Sequence, residues 1–257
     1  MKLKNKAPIV LIIAVLMLNA CSFSAEPTPT ATSAPTSTPA ATSTKTPTPT
    51  KTPPPTITPN LTATRRSEEW NAEIQRYFDE GYIDTTKGKF KKLDDFSEAW
   101  AQLNWYTTWP LETAIEDFVF SGHFEWSSAS KTPNPSGCGL VYAMQGEGRD
   151  GYKDYSVFLD RAQILYLRTE FGHGFRVGKT RGTTTVKFDD PLEADFTLIV
   201  YDHYSYVILN GEVIGEYTLP QSDLIEGALG ISILSGTNKD YGTRCEITNA
   251  HLWTPIK

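Results

Sequence analysis

Several features that would identify an enzyme are missing from this chain of 257 residues. It has no Gly-x-Ser-x-Gly motif, which marks the usual serine hydrolases. It has no Glu-x-Asp-x-Glu run, which would place two carboxylates on one strand face for glycoside hydrolysis. The histidines lack zinc-site spacing, so we expect surface or rim positions for His123, His173, His203 and His251. These absences favour a non-catalytic protein.

The acidic residues also lack the pairing that acid–base chemistry needs. Those near the predicted strands are scattered: Asp117, Glu125, Glu147, Asp150 and Asp154. We expect each of them to be a solvated surface residue. Residues 146–151 match G-x-G-x-x-G, but a strand-like run follows them, whereas a phosphate site needs a helix N-terminus. We therefore predict a hairpin loop there.

Basic charge is scarce in the part of the chain that can fold. Five of the 24 basic side chains but only one of the 30 acidic ones precede Arg65, which leaves 19 basic against 29 acidic residues. An acidic surface of this kind repels phosphate backbones. We therefore expect no nucleic-acid partner.

The N-terminal apolar run, Ile9–Leu18, is too short to span a bilayer, which takes ~20 residues. It follows three lysines, and this order is typical of a cleaved signal peptide. The Leu-Asn-Ala-Cys sequence at 18–21 resembles the lipobox of bacterial lipoproteins. The resemblance implies acylation of Cys21 and an extracytoplasmic protein, lipid-anchored to the bacterial cell membrane. An ordinary secretory signal with a chance cysteine is the alternative.

Only three cysteines are present, and the compartment decides their roles. With Cys21 carrying lipid, Cys138 and Cys245 remain as a pair, and an oxidising envelope favours a disulfide between them. In the chain-entropy treatment, a bridge that closes so long a loop contributes roughly 4 kcal/mol. The alternative is a catalytic cysteine, but neither residue lies in a recognisable Cys/His signature.

Residues 27–64 are nearly all Pro, Thr, Ala and Ser and contain no acid, so they cannot form a core. This composition predicts a semi-rigid polyproline spacer that holds a domain away from the membrane. We therefore divide the chain into four parts: a signal peptide (1–20), the lipidated cysteine with a disordered linker (21–64), a helical lead-in (65–92) and a β-sandwich (93–257).

Two segments after the linker have helical character. Ser67–Glu80 begins with a capping serine and two glutamates, its apolar residues share one stripe, and Gly81 ends it. We predict a helix there, packed on the side of the main domain. The aromatic-rich segment Leu93–Trp109 fits a short helix running into a strand, and its periodicity does not separate the two.

From residue 115 onward the hydrophobic period changes to two, as in strands with one buried face. The first alternating set is Phe118, Phe120, Phe124 and Trp126. Further strand-like runs follow at 140–144, 152–159, 163–169, 171–177, 184–188, 196–200, 204–208, 212–217, 229–233 and 245–253. Asn210-Gly211 predicts a hairpin turn. Ten or more short strands without alternating helices predict an all-β sandwich of two antiparallel sheets.

Several stretches resemble one known group of folds: residues 95–100, 206–212, 227–230, 235–245 and 248–253. Over Leu93–Trp253 they resemble the concanavalin A-like jelly-roll domains of bacterial surface proteins. That group includes laminin-G-like modules and 3-keto-disaccharide hydrolase-like proteins. The resemblance implies a jelly-roll fold, and such sandwiches host lectins, hydrolases and structural modules.

Aromatic residues are the remaining candidates for ligand contact, because sugar rings stack on exposed Trp and Tyr faces. The candidates are Trp105, Tyr106, Trp109, Tyr201 and Tyr204. Asn238 and Asp240, or Asp150 and Asp154, offer the oxygen ligands that calcium needs, although turn geometry also explains such residues. We expect no other metal or cofactor.

The sequence therefore predicts a non-catalytic recognition module displayed at the cell surface, with polysaccharide or cell-wall glycan as its ligand. A glycoside or keto-disaccharide hydrolase of the same fold is one alternative. A structural envelope module is the other.

Overall fold

The computed structural model describes residues 61–130, 135–146, 152–161, 164–171, 173–178, 191–223 and 225–256. The predictions for the signal peptide, Cys21, most of the linker, Glu147, Asp150 and the strand at 184–188 lie outside these residues. Within the described ranges, no helix is long and apolar enough to cross a membrane.

The described residues form one helix, α1 (Leu61–Asp79), and thirteen strands. The strands are β1 (Gly88–Lys92), β2 (Phe96–Trp100), β3 (Trp105–Ile115), β4 (Phe118–Ser128), β5 (Gly137–Gln145), β6 (Lys153–Asp160), β7 (Ile164–Glu170), β8 (His173–Arg176), β9 (Leu192–Tyr201), β10 (Tyr204–Leu209), β11 (Glu212–Thr218), β12 (Gly227–Ser235) and β13 (Thr243–Pro255).

These strands form two antiparallel sheets. The seven-stranded sheet has the order β1-β13-β4-β9-β10-β11, and β2 also pairs with β13. The six-stranded sheet has the order β3-β12-β5-β6-β7-β8. The predicted fold class, a two-sheet antiparallel jelly-roll sandwich with an N-terminal helix, is confirmed.

The main core lies between the two sheets, where the period-two pattern places it. The alternating set on β4, Phe118 to Trp126, is buried there with inward residues of β5, β6, β9, β12 and β13. Val119 points to the opposite side of β4 and is also fully buried, because helix α1 packs on that outer face. The seven-stranded sheet is therefore buried on both faces along part of β4.

Helix α1 covers the outer face of the seven-stranded sheet with one apolar stripe. Ile74 and Tyr77 are buried there against a cluster that includes Val119, Ile199 and Trp253. The helix begins at Leu61, six residues before the predicted cap, since residues 61–66 contain no proline or glycine to interrupt it.

The segment after the helix contains strands, not a second helix. Residues 93–109 form β2 and the start of β3, which lie in different sheets, so the helical interpretation of this segment is wrong. The edge strand β1 precedes residue 93 and pairs with β13 from Gly88 to Lys92. Ladder pairing with a strand at the other end of the chain decides these elements, and local periodicity does not reveal it.

Two predicted tertiary features are present. Asn210 and Gly211 connect β10 to β11 with φ angles of 49° and 81°, the left-handed values that a type I′ turn requires. Cys138 on β5 and Cys245 on β13 form a disulfide, with their Cα atoms 5.7 Å apart. This bond joins the six-stranded sheet to the seven-stranded sheet across the core.

Removing the disulfide will lower stability without changing the fold. The bond closes a loop of 107 residues, for which the chain-entropy treatment gives about 4–5 kcal/mol. We expect Cys138→Ser/Cys245→Ser to reduce the free energy of unfolding by that amount in urea titrations, with an unchanged far-UV spectrum. An unfolding midpoint equal to that of the parent would contradict this.

Candidate functional site

The five predicted ligand-contact aromatics fall on two different sheets. Trp105, Tyr106 and Trp109 lie on β3, an edge strand of the six-stranded sheet. Tyr201 and Tyr204 face each other across the β9–β10 turn in the seven-stranded sheet. The structure therefore does not assemble these residues into one platform.

Trp105 and Tyr106 form a stacked pair at the start of β3. Their ring centroids are 6.3 Å apart and their planes differ by 15°. Trp105 is 59% exposed, whereas Tyr106 is half-buried. Trp109 instead packs against the core and meets Phe96 edge-to-face at 5.2 Å. The pair thus presents one large accessible aromatic surface backed by a second ring.

Tyr106 is held in place by apolar and polar contacts. Its ring packs on a cluster on the six-stranded sheet whose buried members are Val141, Phe158, Leu165 and Leu234. The centroids of the Tyr106 and Phe158 rings are 5.8 Å apart. The Tyr106 hydroxyl donates a 2.8 Å hydrogen bond to Asp154 Oδ2. Because Phe158 contacts the ring of Tyr106 and Asp154 binds its hydroxyl, Tyr106 loses little conformational entropy when a ligand stacks on this surface.

Asp154 is not the solvated residue that the sequence predicted. It is 2% exposed, and its position on β6 places it beneath Tyr106 and beside Thr169 of β7. Burial raises the pKa of Asp154, although hydrogen bonds from Tyr106, Tyr152 and Thr169 act in the opposite direction. Burial, with the neighbouring charge of Asp154, also raises the pKa of Tyr106, so that hydroxyl keeps its proton and stays a donor.

Tyr201 and Tyr204 make a separate surface. The Tyr201 hydroxyl donates to Asp84, and burial together with this carboxylate raises the pKa of Tyr201. Tyr204 is 44% exposed. The two tyrosines thus lie at one tight turn, and the hydroxyl of Tyr201 is already bonded to Asp84.

The calcium candidates do not converge. Asn238 and Asp240 are exposed in the turn before β13, and Asp240 has a left-handed φ of 50°, which suits a turn residue. Asp154 is bonded to Tyr106. In the parts of the chain that the structure describes, no group of three or more His, Cys, Asp or Glu residues could hold a metal ion.

A polar cleft that sequence reasoning missed lies between α1 and the seven-stranded sheet, with a volume of about 500 Å³. Glu73 of α1 reaches into it and accepts hydrogen bonds from Tyr77, at 2.9 Å, and from Ser121. His251 Nε2 lies 3.0 Å from the second Glu73 oxygen, and Trp70 stacks on the imidazole at 4.5 Å. His251 is 4% exposed, so the prediction of a surface position for it is wrong.

The same cleft holds a second imidazole. His123 lies between Asp195, 2.8 Å from Nδ1, and Glu193, 3.1 Å from Nε2. The hydrogen bond with Asp195 is the main reason why the pKa of His123 is raised. Each imidazole is bound to a carboxylate, and Ser121 donates to Glu73 instead of to a histidine. Among the described residues that line the cleft, no serine contacts a histidine in the way that activates a nucleophile.

These features define a two-sheet β-sandwich with an aromatic and carboxylate surface on its six-stranded sheet. No protein-family model matches the chain, and no curated protein matches it.

Three of the solved structures with a similar sandwich are the following. The carbohydrate-binding module CBM66 from Bacillus subtilis is 10% identical, with 63% of this chain and 92% of that chain covered and a TM-score of 0.42. A protein of unknown function with a galectin-like fold from Bacillus subtilis is 11% identical, with 66% and 89% covered and a TM-score of 0.42. Sheep galectin-11 is 11% identical, with 57% and 99% covered and a TM-score of 0.34. Similarity at these values says nothing about ligand or activity.

The two tryptophans of β3 will differ in their effect on stability. We expect Trp105→Ala to change the free energy of unfolding by less than about 0.5 kcal/mol, because the side chain is mostly exposed. Trp109→Ala will cost about 2–3 kcal/mol, because it removes packing against the core. Urea unfolding of both variants measures this, and equal losses would contradict the assignment.

The Glu73 network will make helix docking sensitive to acid. Burial opposes the charged form of Glu73, but hydrogen bonds from His251 and Ser121 outweigh burial and lower its pKa. The stabilisation that the charged Glu73 gives to the folded protein is therefore present above the pKa of an unfolded glutamate, ~4.3. It is lost as the pH falls through the pKa of Glu73 in the folded protein. We expect Glu73→Gln to destabilise by about 1–3 kcal/mol at neutral pH and by less in acid.

Urea unfolding at several pH values measures that difference. Glu69→Gln on the same helix is the control, because Glu69 forms an exposed ion pair with Arg65. A Glu73→Gln effect that is constant with pH would show that the charge of Glu73 is not what stabilises the docked helix.

Proposed function

We propose that this β-sandwich binds carbohydrate through the Trp105–Tyr106 surface of its six-stranded sheet. The observation that carries the proposal is the exposed Trp105 ring stacked on a Tyr106 ring that Asp154 and Phe158 hold in place. Sugar rings present apolar C–H faces, and these pack on flat, fixed aromatic surfaces.

The cleft beside α1 supports a structural role better than a catalytic one. Glu73 already accepts hydrogen bonds from Tyr77 and Ser121 and contacts His251, so both of its oxygens are engaged with the protein. A general acid or base needs a carboxyl that is free to reach the substrate. The contacts favour the non-catalytic module over the hydrolase.

We also propose that the module is displayed outside the cell on a lipid anchor at Cys21, with the Pro/Thr-rich linker as its spacer. The lipobox-like sequence and the linker composition support this. A β-sandwich held by a long spacer is suited to contact with an extended polymer in the envelope. Metabolic labelling with a fatty acid, compared between the parent chain and Cys21→Ser, tests the anchor.

Glycan binding will depend on Trp105. We expect the full chain to retain one or more polysaccharides or cell-wall glycans on an array, and Trp105→Ala to weaken that binding at least tenfold. Tyr204→Ala is the matched control, since it removes an exposed aromatic ring from the other sheet. An empty array together with an empty cell-wall pulldown would overturn the proposal. Binding that Tyr204→Ala abolishes and Trp105→Ala leaves intact would also overturn it.

A further inference from the structure

Two hollows lie along one side of the sandwich, between the edge strands β1 and β3 of the two sheets. The larger has a volume of about 600 Å³ and the smaller about 290 Å³, and Lys91 of β1 lines both. Lys91 forms an ion pair with Glu112 of β3, which links the two edges. The smaller hollow, which we call the Trp109 pocket, lies near the lower end of the ~300–1,000 Å³ that small-molecule sites usually measure.

The Trp109 pocket has mainly apolar walls. Trp109 and Phe96 meet edge-to-face, and both are half-buried, so part of each side chain stays accessible. Trp109 is also held in position, because it lies directly opposite the buried Ile231 in the β3–β12 ladder. Apolar surface of this kind packs against the C–H face of a sugar ring. The apolar members of the lining are Leu93, Phe96, Trp109, Pro110, Leu111 and Ile231.

Three charged side chains lie at the mouth of the pocket. Lys92, Asp94 and Asp95 belong to its lining and are exposed. Among the residues that the structure describes, none of these three side chains forms a hydrogen bond or an ion pair. Lys91, by contrast, is already bound to Glu112. The pocket therefore offers two carboxylate acceptors and one ammonium donor beside an apolar wall.

We propose that the Trp109 pocket binds one neutral sugar unit, whose ring packs on Trp109 and whose hydroxyls bond to Asp94 and Asp95. The inference rests on the proposed carbohydrate function and adds a second sugar site to it. Trp105 lies four residues earlier on β3, about 13 Å away at ~3.3 Å per residue. The two sites are therefore separate, and a glycan of several units is long enough to contact both.

The lining of the Trp109 pocket selects against other classes of ligand. A metal ion or an organic cation would meet the like charge of Lys92, and an anion would meet Asp94 and Asp95. A purely apolar ligand would remove water from the carboxylates without giving them donors. A sugar ring has an apolar face together with hydroxyls that donate and accept, so it satisfies the wall and the mouth at once.

The test uses the double variant Asp94→Ala/Asp95→Ala, which removes both acceptors from exposed positions. Glu98→Ala on β2 is the matched control, because Glu98 is an exposed carboxylate outside the pocket lining. The probes are glucose, galactose, mannose, fructose and N-acetylglucosamine, with ethanolammonium and acetate as ionic probes. Binding to the full chain is followed by calorimetry and by the indole N–H resonances of the tryptophans. Trp109→Phe keeps an apolar ring in the wall and identifies the Trp109 resonance by its loss.

We expect at least one of these sugars to bind with millimolar affinity and to shift the Trp109 resonance. Asp94→Ala/Asp95→Ala will weaken this binding tenfold or more, and Glu98→Ala will leave it within about twofold. Melting curves of the variants establish that they are folded. Three results would each overturn the pocket assignment: no sugar that shifts the Trp109 resonance, equal binding by the double variant, or binding of an ionic probe that needs Asp94 and Asp95.

The two proposals fail in different ways. Polymer binding that needs Trp105, combined with absent monosaccharide binding, would overturn the Trp109 pocket and leave the Trp105–Tyr106 surface standing. Monosaccharide binding that needs Asp94 and Asp95, combined with polymer binding that ignores Trp105, would support the pocket and overturn the Trp105–Tyr106 surface.

Discussion

The hydrogen-bond ladders on both sides of strand β13 are the constraint on which the rest of the structure depends. This strand pairs with β1 and β2 on one side and with β4 on the other. It also carries Cys245, which bonds to the opposite sheet, and His251, which contacts helix α1. Through these links β13 connects the N-terminal helix, both sheets and the core. The seven-stranded sheet cannot hold its N-terminal strands without it.

The local patterns of the sequence were sufficient for most strands from β4 onward, but not for the first strands or for the sites. Alternation along β4 and the Asn210-Gly211 turn are properties of neighbouring residues, so the sequence predicted them correctly. The Cys138–Cys245 bond followed from counting cysteines. Residues 93–109 were ambiguous, because their strands are specified by partners far along the chain.

The buried polar groups were missed for the same reason. Asp154 and Tyr106 are 48 residues apart, and Glu73 and His251 are 178 residues apart. Nothing in the sequence around Asp154 indicates that a tyrosine covers it. Polar residues at outward strand positions look solvated unless the layer above the sheet is known. The register between β4 and β13 pairs Ser121 with His251, and this pairing is not visible in the local sequence.

The carboxylates of Glu73 and Asp154 differ in what surrounds them. Three protein groups contact the Glu73 carboxylate, and its pKa is lowered. Asp154 accepts a hydrogen bond from Tyr106, and burial raises its pKa. The first pattern suits a contact that fastens a helix. The second holds the Tyr106 ring that stacks with the exposed Trp105.

The position of β13 also sets the order in which the fold can be completed. Gly88 at the start of β1 pairs with Pro255. Strand β1 therefore cannot complete its pairing until the last residues of β13 have been synthesised. Contacts of such long sequence separation slow folding, because the closure entropy is lost before the pairing is gained. Until then the exposed edge of β4 remains open to other strands. We therefore expect the chain to be most prone to aggregation between the synthesis of β1 and the synthesis of β13.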